Sequence, residues 1–231
     1  MDATTIILGV VLLILLYILY RYLTTDKALL QEYVSLNSTL EQITDLEKPQ
    51  TPRYAYGFWI YVNQWDSSTN KVVFGRDKNL QVSLDSNTAS CIVTIQTGPD
   101  ASIPSTIQLT DNFPLQKWVH VIVSVDNEFV DCYVDGKLVR SARVYTPGSG
   151  SGTTALTPAI PPDNSVPVVL APTAFDAYLA KFKRWIYPIN PQTAYSEYMK
   201  GNGQGWPGMP NFGLDMKVMK DNELYKEITV F

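Results

Sequence analysis

Hydrophobic and polar residues follow three rhythms along this chain, and each predicts a different element. Residues 3–20, ATTIILGVVLLILLYILY, carry no charge. As a helix this run is about 27 Å long at 1.5 Å per residue, close to the thickness of a hydrocarbon layer. Arg21 follows it, and Tyr17, Tyr20 and Tyr22 suit an interfacial end. No basic side chain precedes the run and no small-x-small site follows, which argues against a cleaved secretory signal. The expectation is one transmembrane anchor over residues 1–23. Arg21 and Lys27 then favour the cytoplasmic face for the body.

The second rhythm lies in residues 24–52. Leu29, Tyr33, Leu36, Leu40 and Ile43 are spaced four, three, four, three. That spacing fits one apolar stripe on a helical stalk. The segment reads equally well as a linker with one early edge strand, and the sequence leaves both open.

From residue 53 onward the rhythm is alternation. In YAYGFWIYVNQW (54–65), Tyr54, Tyr56, Phe58, Ile60 and Val62 share one parity, and Trp59 and Tyr61 take the other. A strand of this kind is covered on both sides. Short β-branched runs follow at 71–75, 80–84 and 91–97. In residues 118–144, Val119, Val121, Val123 and Val125 alternate with His120, Ile122 and Ser124. Asp135-Gly136 marks a type I′ reversal, because both central positions need positive φ. Residues 146–167 form a loop rich in Pro, Gly, Ser and Thr. Residues 175–187 resume the strand pattern, with Phe175, Ala177, Leu179 and Lys181 on one parity and Ala180, Phe182 and Arg184 on the other. Asn190 is placed to cap a short helix with Pro191 at its first position. A glycine-rich loop at 201–213 precedes a strand, an Asp-Asn turn and a last strand.

Composition narrows the classes. The chain has 231 residues, a net charge of −4, one histidine and two cysteines. Acidic balance argues against a nucleic-acid surface. Cys91 and Cys132 are too few for a disulfide framework. A bridge between them would need their strands to be neighbours.

The succession YAYGFWIYVNQW, LQKWVHVIVSVDNEFVDCYVDGKLVRS and FDAYLAKFKRWIYPINPQTAYSEYMK resembles the laminin-G-like, concanavalin A-like jelly roll. Phe58 to Val62 match its aromatic first strand. Trp118-Val119-His120 and Val130 to Gly136 match its central hairpin, and Asn190 to Ala194 match the short helix that follows a late strand. The resemblance implies an all-β, two-sheet antiparallel jelly-roll sandwich over residues 53–231, preceded by the transmembrane helix. Together with the anchor, the closing segment 218–225 resembles membrane or minor capsid proteins of large double-stranded DNA viruses. That resemblance implies a virion internal membrane, a body on its capsid-facing side, and the lipid bilayer and capsid or other virion proteins as partners.

No catalytic signature appears. Retaining glucanases of this fold carry E-x-D-x-E or E-x-D-x-x-E on one strand, which sets two carboxylates on one face; this chain has neither run. His120 is the lone histidine and reads as a packing residue. No nucleotide fingerprint or zinc spacing occurs. The expectation is no enzyme and no cofactor, apart from calcium, which some laminin-G-like domains bind at the sheet rim; Asp85, Asp135 and Asp163 are the oxygen donors here. Trp59, Trp118 and Trp185 lie in strands and read as core. Trp65 and Trp206, with Pro207 and Met209 beside the latter, are the candidate contacts for a protein or a glycan. The function expected is a membrane-anchored structural link between a viral internal membrane and the capsid; the alternative is a membrane-displayed, lectin-like carbohydrate-binding module.

Overall fold

The computed structural model describes residues 3–24, 26–38, 40, 42–65, 70–144, 157–203, 215–220 and 223–229, with backbone alone for part of α1 and for the last two strands. Its elements are α1 (Ala3–Thr24), β1 (Leu29–Ser35), β2 (Arg53–Val62), β3 (Lys71–Arg76), β4 (Leu80–Leu84), β5 (Cys91–Thr97), β6 (Ile103–Thr110), β7 (Trp118–Asp126), β8 (Phe129–Val134), β9 (Lys137–Arg143), β10 (Val168–Leu170), β11 (Ala177–Trp185), α2 (Pro191–Met199), β12 (Asp215–Lys220) and β13 (Glu223–Thr229). Among the described residues these strands form a six-stranded sheet ordered β1-β11-β2-β7-β8-β9, a five-stranded sheet ordered β10-β3-β4-β5-β6, and the β12-β13 hairpin. Neighbouring strands are antiparallel throughout. The two large sheets make the expected jelly-roll sandwich.

The alternation in β2 sets the layers. Tyr56, Phe58, Ile60 and Val62 are each at most 1% exposed and belong to the core between the sheets, with Phe74 from β3 and Phe182 from β11. Phe74 packs edge-on to Phe58 and Phe182 at 5.7 and 5.0 Å between ring centroids. Each such ring contributes about 1.5–3 kcal/mol by leaving water. A second, smaller apolar cluster lies on the opposite face of the same sheet. It contains Ala55, Ile122, Tyr133, Trp185, Ile189 and Ala194, and α2 covers it.

Two strands depart from simple alternation. β11 carries a bulge between Ala180 and Lys183, with Lys181 at φ 50°. The extra residue lets Leu179 and Phe182 both face the core, so parity read along 175–187 places one of them on the wrong face. β6 is a strand with no counterpart among the runs read from the sequence, because only Ile107 and Leu109 of it are buried.

Of the two readings for residues 24–52, the structure contains the edge strand. β1 pairs with β11, and Leu36 and Leu46 enter the main core. Arg184 and Arg76 fasten the rest of this segment. Arg184 donates to the carbonyls of Glu47 and Lys48 at 2.5 and 3.2 Å. Arg76 donates to Pro49, Pro162, Asp163 and Val166 at 2.7 to 3.1 Å. Both guanidiniums are buried and held by backbone oxygens, a use suited to the fixed donors of arginine, while Arg184 Nε is buried without a hydrogen-bond partner.

The N-terminal run is helical, as its composition predicts, but the anchor expected over residues 1–23 is corrected. Among the described residues no helix is long and apolar enough to cross a membrane. With the anchor go the transmembrane helix preceding the sandwich, the virion internal membrane as location, the single-pass topology, the bilayer and capsid proteins as partners, and the membrane-to-capsid linking role.

Cys91 and Cys132 sit in β5 and β8, in different sheets, and both thiols are free and buried. Burial pushes the Cys132 thiol up to about 12 and that of Cys91 up as well.

Candidate functional site

Where α2 leaves the outer face of the six-stranded sheet uncovered, the second parity of the strands comes to the surface. β2 and β7 pair Trp59 with His120 and, two residues along, Tyr61 with Trp118. β11 pairs Tyr178 with Tyr61. The helix is delivered to this face by two contacts and opened by its cap. The Ile189 amide donates to Ser124 Oγ at 2.8 Å and the Tyr133 hydroxyl donates to the Ile189 carbonyl at 3.2 Å, while Asn190 Oδ1 accepts from the Thr193 amide at 2.8 Å. Asn190 is the N-cap and Pro191 stands at the helix start, as the sequence predicts.

Two glycines allow the close packing. Asp135 and Gly136 both have positive φ, 47° and 74°, as the expected turn requires. A Cβ on Gly136 would lie 3.1 Å from Tyr195 Cα, so the turn tucks under α2 only without a side chain. Gly57 gives Trp185 its place: a Cβ there would lie 2.7 Å from the indole.

Between α2 and the sheet lies a pocket of about 240 Å³, lined by Gly57, Trp59, His120, Lys183, Trp185 and Glu197 among others. Trp59 is its aromatic wall, with Tyr198 stacked on it at 5.5 Å and 22°. His120 packs against Trp59 at 4.9 Å and is 4% exposed. Its Nδ1 is buried with no hydrogen-bond partner. Burial pulls the imidazole pKa down to about 4, with Glu197 opposing and Lys183 assisting, so the ring is neutral at pH 7.

Ion pairs complete the rim. Lys183 Nζ meets Asp26 Oδ2 at 2.5 Å and Glu197 Oε2 at 2.9 Å; Lys200 meets Glu197 Oε1 at 2.5 Å. Lys181 pairs with Glu32. Desolvation opposes charge on Lys183, but hydrogen bonds and attraction from Asp26 and Glu197 outweigh it and hold the ammonium above its usual value. Desolvation likewise would raise both carboxyls, yet the lysines win and leave Asp26 and Glu197 below the ordinary carboxylate range. Neither can serve as the protonated acid that glycoside hydrolysis requires.

Beside the pocket is an aromatic cluster. Tyr33, 44% exposed, stacks on Tyr178 at 5.8 Å and 16° and reaches Trp118 at 6.4 Å; Trp118 meets Tyr61 at 5.6 Å. Tyr61, Trp118 and Tyr178 are half-buried. Trp118 therefore belongs to the surface of the sheet and not to the core assigned from its strand position, whereas Trp59 and Trp185 are buried on this outer side.

The candidates named from sequence are elsewhere. Trp65 is half-buried against the main core; its indole N–H donates to the Ser86 carbonyl at 3.4 Å and Lys71 Nζ lies 4.6 Å from its ring centroid. Trp206, Pro207 and Met209 lie outside the described residues. The three aspartates serve separate turns. Asp85 accepts from the Asn87 amide at 2.9 Å, Asp163 from the Ser165 amide at 2.9 Å, and Asp135 from the His120 amide at 3.0 Å. Among the described residues no group of three or more His, Cys, Asp or Glu could hold a metal ion. A larger hollow of about 590 Å³ borders Asp26, Asp45, Glu47, Arg184 and Tyr187, but Arg184 is already engaged by backbone oxygens there.

Lys183, Glu197, Asp26 and the aromatic cluster escaped the sequence reading. The signal for the cluster was present in the second parity of β2, where Trp59 and Tyr61 stand two apart. The ion pairs of Lys183 join residues 14 and more positions apart in sequence, and only the fold brings them together.

The laminin-G-type family model described as the concanavalin A-like lectin/glucanases superfamily matches residues 32–194. No curated protein sequence matches the chain. Similar solved structures include the botulinum neurotoxin serotype D binding domain, with TM-score 0.56, 10% identity, and coverage of 78% of this chain and 46% of that one. The serotype D ligand-binding domain in complex with N-acetylneuraminic acid gives TM-score 0.55, 11% identity, and coverage of 78% and 45%. The receptor-binding domain of botulinum neurotoxin D gives 0.53, 10%, and coverage of 76% and 46%. The chain thus spans under half the length of these structures, and at such identities the likeness is one of fold.

Proposed function

The chain belongs to the concanavalin A-like lectin/glucanases superfamily, and from that premise we propose that it is a lectin-like module that binds glycans on the outer face of its six-stranded sheet. It is a non-enzymatic binding module: the sequence lacks the paired-carboxylate strand of the glucanases, and the two carboxylates at the pocket are both held ionised. In this reading the domain begins at β1, since β1, Leu36 and Leu46 are part of the sandwich.

The observation that carries the proposal is the His120 pocket. It joins an indole wall, a buried imidazole nitrogen without a partner, and a polar rim of lysines and carboxylates. Apolar surface with a few convergent polar groups is the usual make-up of a small-ligand site. Sugars suit it, because a pyranose has an apolar C–H face for the ring and hydroxyls for the rim. A structural neighbour, the botulinum neurotoxin serotype D ligand-binding domain, is found in complex with N-acetylneuraminic acid, which agrees with sugar binding within this fold.

The test is a glycan array probed with the labelled full chain. Micromolar or tighter retention of a defined set of glycans, lost in His120→Ala, is the expected result. Uniform failure to retain any glycan, with a correctly folded chain, would remove the lectin reading.

A further inference from the structure

We infer that the His120 pocket takes the uncharged terminal ring of a neutral oligosaccharide, and that the next ring of that chain lies on the Tyr33–Trp118 aromatic cluster. This rests on the lectin reading above and narrows it to a ligand class.

The charges of the site are already balanced. Lys183 is held between Asp26 and Glu197, Lys200 by Glu197, and Lys181 by Glu32. The Lys183 and Glu197 side chains are only 11% and 10% exposed. An acidic sugar would have to displace a carboxylate from Lys183 and leave that carboxylate unpaired beside a desolvated site, which is strongly unfavourable. A neutral ring disturbs none of these pairs.

What the site lacks is one hydrogen bond. His120 Nδ1 is buried and unpartnered, a condition that costs free energy until a partner arrives. The groups facing this ring are Trp59 from β2, Tyr198 and Glu197 from α2, and Lys183 from β11. The ring is neutral among them, so either tautomer is accessible and a hydroxyl can meet Nδ1 as donor or as acceptor. A hydroxyl is what every uncharged sugar ring carries.

Size and register place the second ring. A volume of about 240 Å³ lies below the roughly 300–1,000 Å³ of most drug-sized ligand sites, so one ring fills it. Tyr61 and Trp118 follow Trp59 and His120 on the same face, two residues along paired strands. That step is about 7 Å. A chain leaving the pocket in this direction passes over Trp118, Tyr61 and the exposed Tyr33, whose rings offer flat apolar surface.

The experiment measures affinities of the full chain for glucose, galactose, mannose and N-acetylglucosamine, for their β- and α-linked disaccharides, and for lactose against 3′-sialyllactose. A neutral series is expected to bind, its disaccharide about tenfold or more tighter than its monosaccharide. His120→Ala should weaken the whole series about tenfold, the worth of one hydrogen bond. His120→Asn, which returns a polar atom near the Nδ1 position, should recover most of that loss. Trp118→Ala should bring the disaccharide down to the level of the monosaccharide while the melting temperature stays that of the wild type. Preference for sialyllactose over lactose, or glycan binding indifferent to both His120→Ala and Trp118→Ala, overturns this inference and leaves the lectin reading standing. Absence of any glycan binding overturns the lectin reading itself, and this inference with it.

Discussion

Phe58 and Trp59 are sequence neighbours, both are at most 5% exposed, and they serve opposite faces of one strand. Phe58 faces the second sheet and packs against the rings of Phe74 and Phe182, which Tyr56 also meets. Trp59 faces outward and meets an imidazole, a phenol and a pocket rimmed by charge. The inner face is closed by another sheet and its ring packing holds the fold. The outer face is closed by a nine-residue helix, too short to cover six strands. What the helix leaves bare is aromatic and polar, which is the difference between surface that stabilises and surface that can bind.

The comparison can be broken most severely on the inner side. Phe182→Ala should cost about 4 kcal/mol in urea denaturation, because the ring is fully buried between the sheets and the cavity cannot collapse. Whatever glycan binding survives in folded Phe182→Ala protein should keep the wild-type preference, since the ring does not line the pocket. A change in preference would show that the two faces are coupled.

Acid separates the faces next. His120 has its pKa lowered from 6.5 to about 4 by burial, so between those values the unfolded chain binds a proton that the folded chain does not. Stability therefore falls as pH drops through that window, by up to about 3 kcal/mol. Below it, protonation of Asp26 and Glu197, whose values are held low, removes the ion pairs as well. The inner face holds buried thiols pushed upward, far from this window. His120→Asn should flatten the urea midpoint between pH 6.5 and 4. An unchanged acid slope in that variant would assign the loss to other groups.

The smallest effect is steric. Gly57→Ala places a Cβ 2.7 Å from the Trp185 indole, so that ring must move. The expected cost is about 2 kcal/mol in thermal or urea unfolding, with a shifted tryptophan emission, because the displaced ring borders the pocket. A variant with wild-type stability and emission would mean that the outer face is looser than its packing implies.

How much was legible beforehand differs between the faces in the same way. Alternation in β2 and β7 set Tyr56 with Phe58 and Val121 with Val123 on shared faces, which the structure places in the core, and Asp135-Gly136 and Asn190-Pro191 announced a turn and a helix start that the structure contains. The same alternation failed in β11, because one bulged residue at Lys181 reverses every face after it. It also could not tell a strand tryptophan on the outer surface from one in the core, which is why Trp118 was misplaced. The apolar run in α1 matched a membrane span by length and composition, but a hydropathy run is only a local property, and among the described residues no helix is long and apolar enough to cross a membrane.

By itself the sequence determined which side chains share a face of each strand, because residues two apart necessarily do, and its resemblance to the concanavalin A-like fold implied the two-sheet sandwich. Tertiary structure decided the candidate site. Asp26, His120, Lys183 and Glu197 come from four separate segments, and no spacing along the chain encodes their meeting. Only the packing of α2 onto the outer face buries the imidazole without giving its nitrogen a partner, and that unmet bond is a property of the fold and not of any stretch of residues.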